Sequence, residues 1–386
     1  MGRNFGARQS ATDTPSDFNP NVNLNGPWDN IAAGNAVCTD WDGPCFAGLY
    51  TFANDSRRRT PYVQQYMLNI QRQITDSMLF EVGYSGNLGR KLQRMYGFNT
   101  PTERSDPTDR TSLNDRRPWG AATFDRIQTI ANVSNSNYNA LAVKLQQRNV
   151  NGFTYLFGYT YGRTIDGGSA IRTQSGDNLF PASSYNLRAE RGLAQFHTAH
   201  RATLSLLYDI PLRFQNRAVE TVAGGWQVGS ILTFSTGQPF NPGNCGDVNG
   251  NRQGNRGDAT GISPFVDNPS PQEFFKRDSD GRGPAAMTCD VPVVIGGTTY
   301  NELSARQGNV GRNYVIGPGF ANWDFSLTKN FQFTEKYNLQ FRFESFNFSN
   351  HPQWNRPRTG RNDLNYGVIT SARAMRTNQV ALKFIF

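Results

Sequence analysis

No run in the 386 residues approaches the roughly 18–20 apolar positions that a spanning helix needs, so a helical membrane protein is excluded. Charge is scarce as well, at 18% Asp, Glu, Lys and Arg, which argues against a charge-driven disordered chain. Lysine is rarer still: the six at 91, 144, 276, 329, 336 and 383 leave 33 of the 39 basic residues as Arg. The net charge of +9 is spread through loops and polar strand faces rather than clustered, so nucleic acid is not an expected partner. Arginine's planar fork of donors does suit the phosphates of a membrane surface. Residues 1–26 lack the basic stretch and apolar core of a signal peptide. An exported protein would then carry its signal outside this chain, which points to a fragment or a late start.

What is abundant is aromatic, small and turn-forming: 27 Phe, 15 Tyr, 6 Trp, 38 Gly and 20 Pro. Aromatics favour strands and Gly and Pro punctuate turns, so the composition leans to an all-β protein with long loops. Period-two alternation marks half-buried strands over 61–74, 77–87, 137–148, 152–163, 200–210, 224–236, 319–331, 336–348 and the closing residues. In 152–163, Phe153, Tyr155, Phe157, Tyr159 and Tyr161 share one face. In 336–348, Tyr337, Leu339, Phe341 and Phe343 oppose Asn338, Gln340, Arg342 and Glu344. These make about nine strands of the roughly 9–11 residues that a tilted transmembrane strand uses.

The connections alternate in length. Short links fall near Thr75–Asp76, 149–152 and 334–335, with a moderate one at 211–224, and long links at 88–136, 164–199, 237–318 and 349–376. Short turns on one side and long loops on the other are the pattern of an outer-membrane barrel. A soluble β-sandwich also alternates, but its strands are usually about five or six residues long. The polar faces here, rich in Gln, Asn, Arg and Glu, suit a wet lumen.

Few residues offer site chemistry. The four Cys form two separated pairs, Cys38/Cys45 and Cys245/Cys289, with no CxxC and no His nearby, so zinc spacing is absent. An even count in Gly- and Asn-rich loops suggests disulfides: Cys245–Cys289 restraining the longest loop, and Cys38–Cys45 closing a smaller one. His197 and His200 sit at a strand entrance and point to opposite faces, which suits packing better than metal binding. Asp247 and Asn249 open a segment like a calcium loop, but Arg252 stands where the turn wants Gly and no Glu follows. Asp278 and Asp280 are oxygen ligands in principle and read more simply as a solvated turn. GNVGRN (308–313) precedes a strand, not a helix, so no helix N-terminus is there for phosphate. No catalytic residue, cofactor or enzymatic activity is expected.

Several segments, in order, resemble the TonB-dependent outer-membrane receptors, and within them the Oar-like group with a carboxypeptidase-regulatory-like N-terminal domain. They are PYVQQYMLNIQRQI (61–74), SNYNALAVKLQQR (136–148), ERGLAQFHTAHRATLSLLYDIP (190–211) and GWQVGSILTFSTGQPF (225–240), then the long stretch 308–354 and the ending NQVALKFIF (378–386). The resemblance implies a barrel of roughly 22 strands around a plug. This chain has room for about nine strands and shows neither plug nor TonB box, so it looks like the C-terminal portion. The expected fold is thus all-β, part of an antiparallel transmembrane barrel, with 1–60 an extracellular loop region and 61–386 barrel.

The implied place is the outer membrane of a Gram-negative bacterium. The implied partners are outer-membrane lipid and lipopolysaccharide, an unidentified extracellular ligand, and the TonB complex acting through a plug outside this chain. Val380, Leu382, Phe384 and Phe386 resemble the C-terminal signal read by the barrel assembly machinery. Two other readings stand beside this one: a passive porin-like or oligomeric barrel, and a soluble carbohydrate-binding adhesin using Trp226, Trp323 and Trp354.

Overall fold

A computed structural model describes residues 6–8, 50–55, 57–113, 115–118, 127–170, 180–248, 254–333, 337–360 and 363–386. Nine long strands carry the architecture: β1 (Tyr62–Thr75), β2 (Met78–Gly97), β3 (Ile127–Val150), β4 (Phe153–Asp166), β5 (His200–Asp209), β6 (Trp226–Ser235), β7 (Phe320–Gln332), β8 (Asn338–Phe346) and β9 (Thr377–Ile385). Each pairs antiparallel with the next in sequence, so the sheet is an up-and-down meander without crossovers. The short segments Gly6–Arg8, Tyr50–Asn54 and Gly192–Leu193 join the same twelve-stranded sheet. Tyr50–Asn54 lies in the stretch expected to be loop, and pairs parallel with the start of β3. The sheet is open: among the described residues β1 pairs only with β2, and β9 only with β8.

The chain explains its own turns. β3 and β4 are joined by Asn151-Gly152, with φ of 52° and 82°, flanked by the pair Val150↔Phe153. Asn-Gly with both residues left-handed is the two-residue turn whose twist matches antiparallel strands. The link between β5 and β6 holds a short helix, α1 (Arg217–Ala223), whose start is capped by the Asn216 side chain accepting from Ala218 N at 2.9 Å.

One expectation is corrected here. Much of the long link expected at 88–136 is strand, because β2 runs to Gly97 and β3 begins at Ile127. The alternation fails there because the register slips between Gly89 and Leu92 and again between Leu92 and Arg94, and Lys91 has φ 54°. A bulge adds an unpaired residue and reverses which face the following side chains take. At 20 and 24 residues these strands exceed the span of a bilayer and form a ribbon rising beyond it.

The two buried apolar clusters lie not under the sheet but among the long connections. Phe240, Phe274, Phe275, Val315, Tyr366 and Ile369 cluster, joined by Trp354, and Cys245, Met287, Cys289 and Val310 form a second cluster. The segment between β6 and β7 is not irregular throughout. It contains three two-stranded ribbons: Pro239–Phe240 with Val315–Ile316, Asp258–Ala259 with Met287–Thr288, and Pro292–Ile295 with Thr298–Asn301.

Candidate functional site

The sheet has two chemically opposite faces, and register proves their continuity. Side chains directly opposite across a ladder share a face. Phe157, Leu204, Leu232 and Trp323 form one apolar row over β4 to β7, and Leu327, Phe343 and Val380 another over β7 to β9. Leu68 and Leu382 on this face are 65% and 67% exposed. A contiguous apolar surface of that extent marks an interaction face, and its chemistry suits lipid. At the short-turn end it carries an aromatic band: Phe153–Tyr208 rings 6.0 Å apart, Trp226–Phe341 6.2 Å, and Tyr337–Phe384 5.9 Å. Lys329 shares this face. It donates to the Gly224 carbonyl and lies 5.4 Å from the Trp226 ring centre, so its ammonium is turned toward the turn rather than the apolar rows.

The opposite face is polar along its whole breadth. Gln71, Glu81, Lys144, Gly158, Thr203, Thr233 and Asn322 form one row across β1 to β7. Its side chains bond each other: Asn69 donates to Glu81 at 2.8 Å, Gln340 to Asn330 at 3.0 Å, and Gln379 to Glu344.

At the long-loop end the connections are locked to the strand tips by buried charge. Glu190, 2% exposed, accepts from Arg94 Nη2 at 3.0 Å and Arg256 Nη2 at 2.9 Å, while its carbonyl accepts from Arg312 Nε at 2.8 Å. Arg312 also pairs with the Asp166 carboxylate at the tip of β4. The Glu190 carboxylate thus ties its own connection to strand β2 and to the β6–β7 connection, and its carbonyl adds a second tie to the latter. Asn255 reinforces them by donating to the Leu303 and Arg306 carbonyls at 3.1 and 3.0 Å. Asp258 accepts from Arg306 at 2.6 Å, and that bond holds its carboxyl below the usual carboxylate range. Burial raises the Glu103 carboxyl and lowers the His197 imidazole, the latter with help from Arg163.

Three concavities open around this layer. A polar one of about 490 Å³ lies between Glu103, Tyr185, Arg256 and Gln307. An apolar cleft of about 590 Å³ opens on the lipid face beside Tyr159, His200, Phe234 and Trp354. The third, about 420 Å³, opens on the polar face beside Arg201, Arg356 and Arg373.

The residues singled out from sequence fall as follows. Cys245 and Cys289 form a disulfide with Cα atoms 5.4 Å apart, whereas Cys38, Cys45 and Asn249 lie outside the described residues. Asp247 is exposed near Arg116. Asp278 accepts from Arg282 N at 2.9 Å within its own turn, and Asp280 is exposed. Among the described residues no three His, Cys, Asp or Glu gather to hold a metal. His197 is buried and its Nδ1 accepts from Thr164 N at 3.3 Å, while His200 packs on Tyr161 with ring centres 4.9 Å apart. Val380, Leu382 and Phe384 are exposed on the last strand and Phe386 just beyond it, with the Phe384 and Phe386 rings stacked 6.1 Å apart. The three Trp of the adhesin reading make no ring contact with one another; their ring partners are Phe341, Phe348 and Phe274. Trp226 sits at the short-turn end, Trp323 on the apolar face against Phe348, and Trp354 in the loop cluster. Sequence reasoning missed Glu190, Arg94, Arg256 and Arg312; Glu190 opens the ERGLAQFH segment, but no periodicity singles it out.

A family model described as an outer membrane beta barrel domain matches residues 2–379. No curated protein matches the chain. Among solved structures, the outer membrane transporter YddB from Escherichia coli is 10% identical with a TM-score of 0.47, covering 87% of this chain and 34% of its own. BauA, the ferric preacinetobactin receptor from Acinetobacter baumannii, is 11% identical with a TM-score of 0.40, covering 84% and 29%. The FrpB iron transporter from Neisseria meningitidis is 11% identical with a TM-score of 0.38, covering 86% and 32%. The chain therefore spans about a third of the length of these proteins. With the family model covering nearly the whole chain, and a sheet whose one face suits lipid and the other water, the chain belongs to the outer membrane beta-barrel domain family and resides in the outer membrane.

Proposed function

We propose that this chain is the C-terminal barrel segment of a TonB-dependent outer-membrane transporter of the Oar-like group, with the long connections outside the cell and an incoming ligand meeting them. One observation carries the reading: a continuous polar face ends beneath loops that are locked to the strand tips through Glu190, so a ligand entering the lumen meets an ordered rim. A plug outside this chain transmits energy from the TonB complex. Residues 61–386 contribute wall and loops, and residues 1–60 an extracellular connection. Lipid and lipopolysaccharide contact the apolar face, the assembly machinery engages β9, and the chain performs no catalysis.

The open edges at β1 and β9 favour one second reading, closure by further copies of this chain as a passive pore. Unpaired backbone in lipid costs several kcal/mol per group, so either edge must find a strand. Native mass spectrometry of the particle extracted from the outer membrane separates the two. One polypeptide containing these residues with plug and further strands supports the transporter. A closed oligomer of this chain alone, conducting without energised TonB, refutes it.

A further inference from the structure

We infer that the link between β5 and β6, with its short helix α1, is a second lipid contact. Its exposed apolar side chains seat in the headgroup boundary of a glycerophospholipid leaflet, continuing the apolar face of the sheet. The inference rests on the transporter reading in one respect, that the short-turn end is periplasmic and the leaflet is therefore the inner one of the outer membrane.

Two other links at this end are brief and polar: Asp76-Ser77 joins β1 to β2, and Asn151-Gly152 joins β3 to β4. The β5–β6 link runs over 210–225 and is built differently. Leu212, Phe214, Val219 and Val222 are all exposed, Val222 to 67%. Val219 and Val222 lie three apart and so share one face of α1. Single exposed apolar residues are ordinary on any surface. What gives these a partner is where the link is held.

Two side chains of the apolar face hold it. Trp226, edge-on to Phe341 across that face, donates from Nε1 to the Val222 carbonyl at 3.1 Å. Lys329, directly opposite Trp226 in the β6–β7 register, donates to the Gly224 carbonyl and lies 5.4 and 5.0 Å from the Trp226 and Phe331 ring centres. Both satisfy carbonyls at the end of α1, and both reach them from the apolar side of the sheet. The helix therefore abuts the aromatic band, the level at which hydrocarbon gives way to headgroups. The link joins two strands in the middle of the sheet, flanked by β4 and β7, so neither open edge brings a strand over it. A plug would fill the opposite, polar face. Charge fits the same occupant. Glu220, the single carboxylate of the link by sequence, turns back to accept from Phe214 N at 2.6 Å, while Arg213 is exposed between Leu212 and Phe214. A forked cation flanked by apolar side chains matches a lipid's phosphate and acyl chains.

The test places nitroxide labels one at a time at 212, 215, 219 and 222 of the full-length protein, with native cysteines replaced by serine, in bilayers of phosphatidylethanolamine and phosphatidylglycerol. Labels at 212, 219 and 222 should collide mainly with lipid-soluble oxygen, and the label at 215 mainly with a water-soluble nickel chelate. Val219→Glu should reverse the preference at 222. Heat-modifiable migration on gels confirms that each variant is folded. Chelate access at 212, 219 and 222 equal to that at 215 overturns the inference. Protection of 219 and 222 from both reagents overturns it too, since it marks a protein partner or a second copy in place of lipid. Sidedness is read separately: a cysteine at 215 should react with a bulky polyethylene-glycol maleimide only after the outer membrane is opened. Reaction in intact cells sinks the orientation of the transporter reading and leaves the lipid contact standing, while water-exposed labels with the expected sidedness do the reverse.

Discussion

At the scale of single residues, the loop layer depends on a few buried polar groups. Glu190 neutralises two guanidinium groups that are themselves 3% and 6% exposed. Removing one partner of a buried pair costs about 3–5 kcal/mol because the other charge is stranded. Glu190→Ala is therefore expected to raise hydrogen exchange over residues 182–194 and 254–258 while the strands stay protected; unchanged exchange there would contradict the hub.

His197 gives a pH dependence. Burial holds its pKa below the ordinary 6.5, so below that pH the unfolded segment binds a proton that the folded one refuses. Its contribution is present above 6.5 and is lost as pH falls through the lowered folded value. Proteolytic susceptibility of the 194–199 segment should rise on acidification, and His197→Gln should flatten that rise. The pairing of Cys245 with Cys289 was legible in the sequence because the two share one long loop. Glu190 was not legible, since its role depends on partners 96 and 66 positions away rather than on any local pattern.

At the scale of elements, alternation exposed all nine strands, because a half-buried strand must repeat its chemistry every second residue. It hid the upper reaches of β2 and β3, where the bulges around Lys91 shift the pattern, and it gave no sign of the ribbons in the loops, too short for any period to show. The face assignment predicts asymmetry within β5. Leu206→Arg on the apolar face should destabilise the barrel by about 2–4 kcal/mol, and Thr203→Arg on the polar face by much less. Equal losses in urea unfolding from lipid would contradict the register.

The last strand raises a kinetic question. Deleting Phe386 should slow assembly and leave unfolded protein in the periplasm, if alternate side chains of an extended strand are what the assembly machinery reads. Tyr155→Ala, in the same aromatic band, should assemble normally and unfold more easily. Pulse-labelled assembly at an unchanged rate after the deletion would leave Phe386 as an interfacial anchor.

At the scale of the whole molecule, the sheet inverts the usual arrangement: its apolar face is exposed, its other face is polar, and the two buried apolar clusters lie in the loops. That inversion was visible in the sequence as aromatic alternation coupled to unequal loops. The loop core was not, because Phe240, Phe274, Phe275 and Tyr366 come from connections that share no spacing. One face of this sheet meets lipid and the other water, and the two must alternate residue by residue along β5. Nitroxide labels placed one at a time along 200–209 of the assembled protein, with native cysteines replaced by serine, test it most directly. Labels at 202, 204, 206 and 208 should collide with lipid-soluble oxygen, and those at 203, 205 and 207 with a water-soluble nickel chelate, in strict alternation. Uniform access of the water-soluble reagent along the strand would contradict the account.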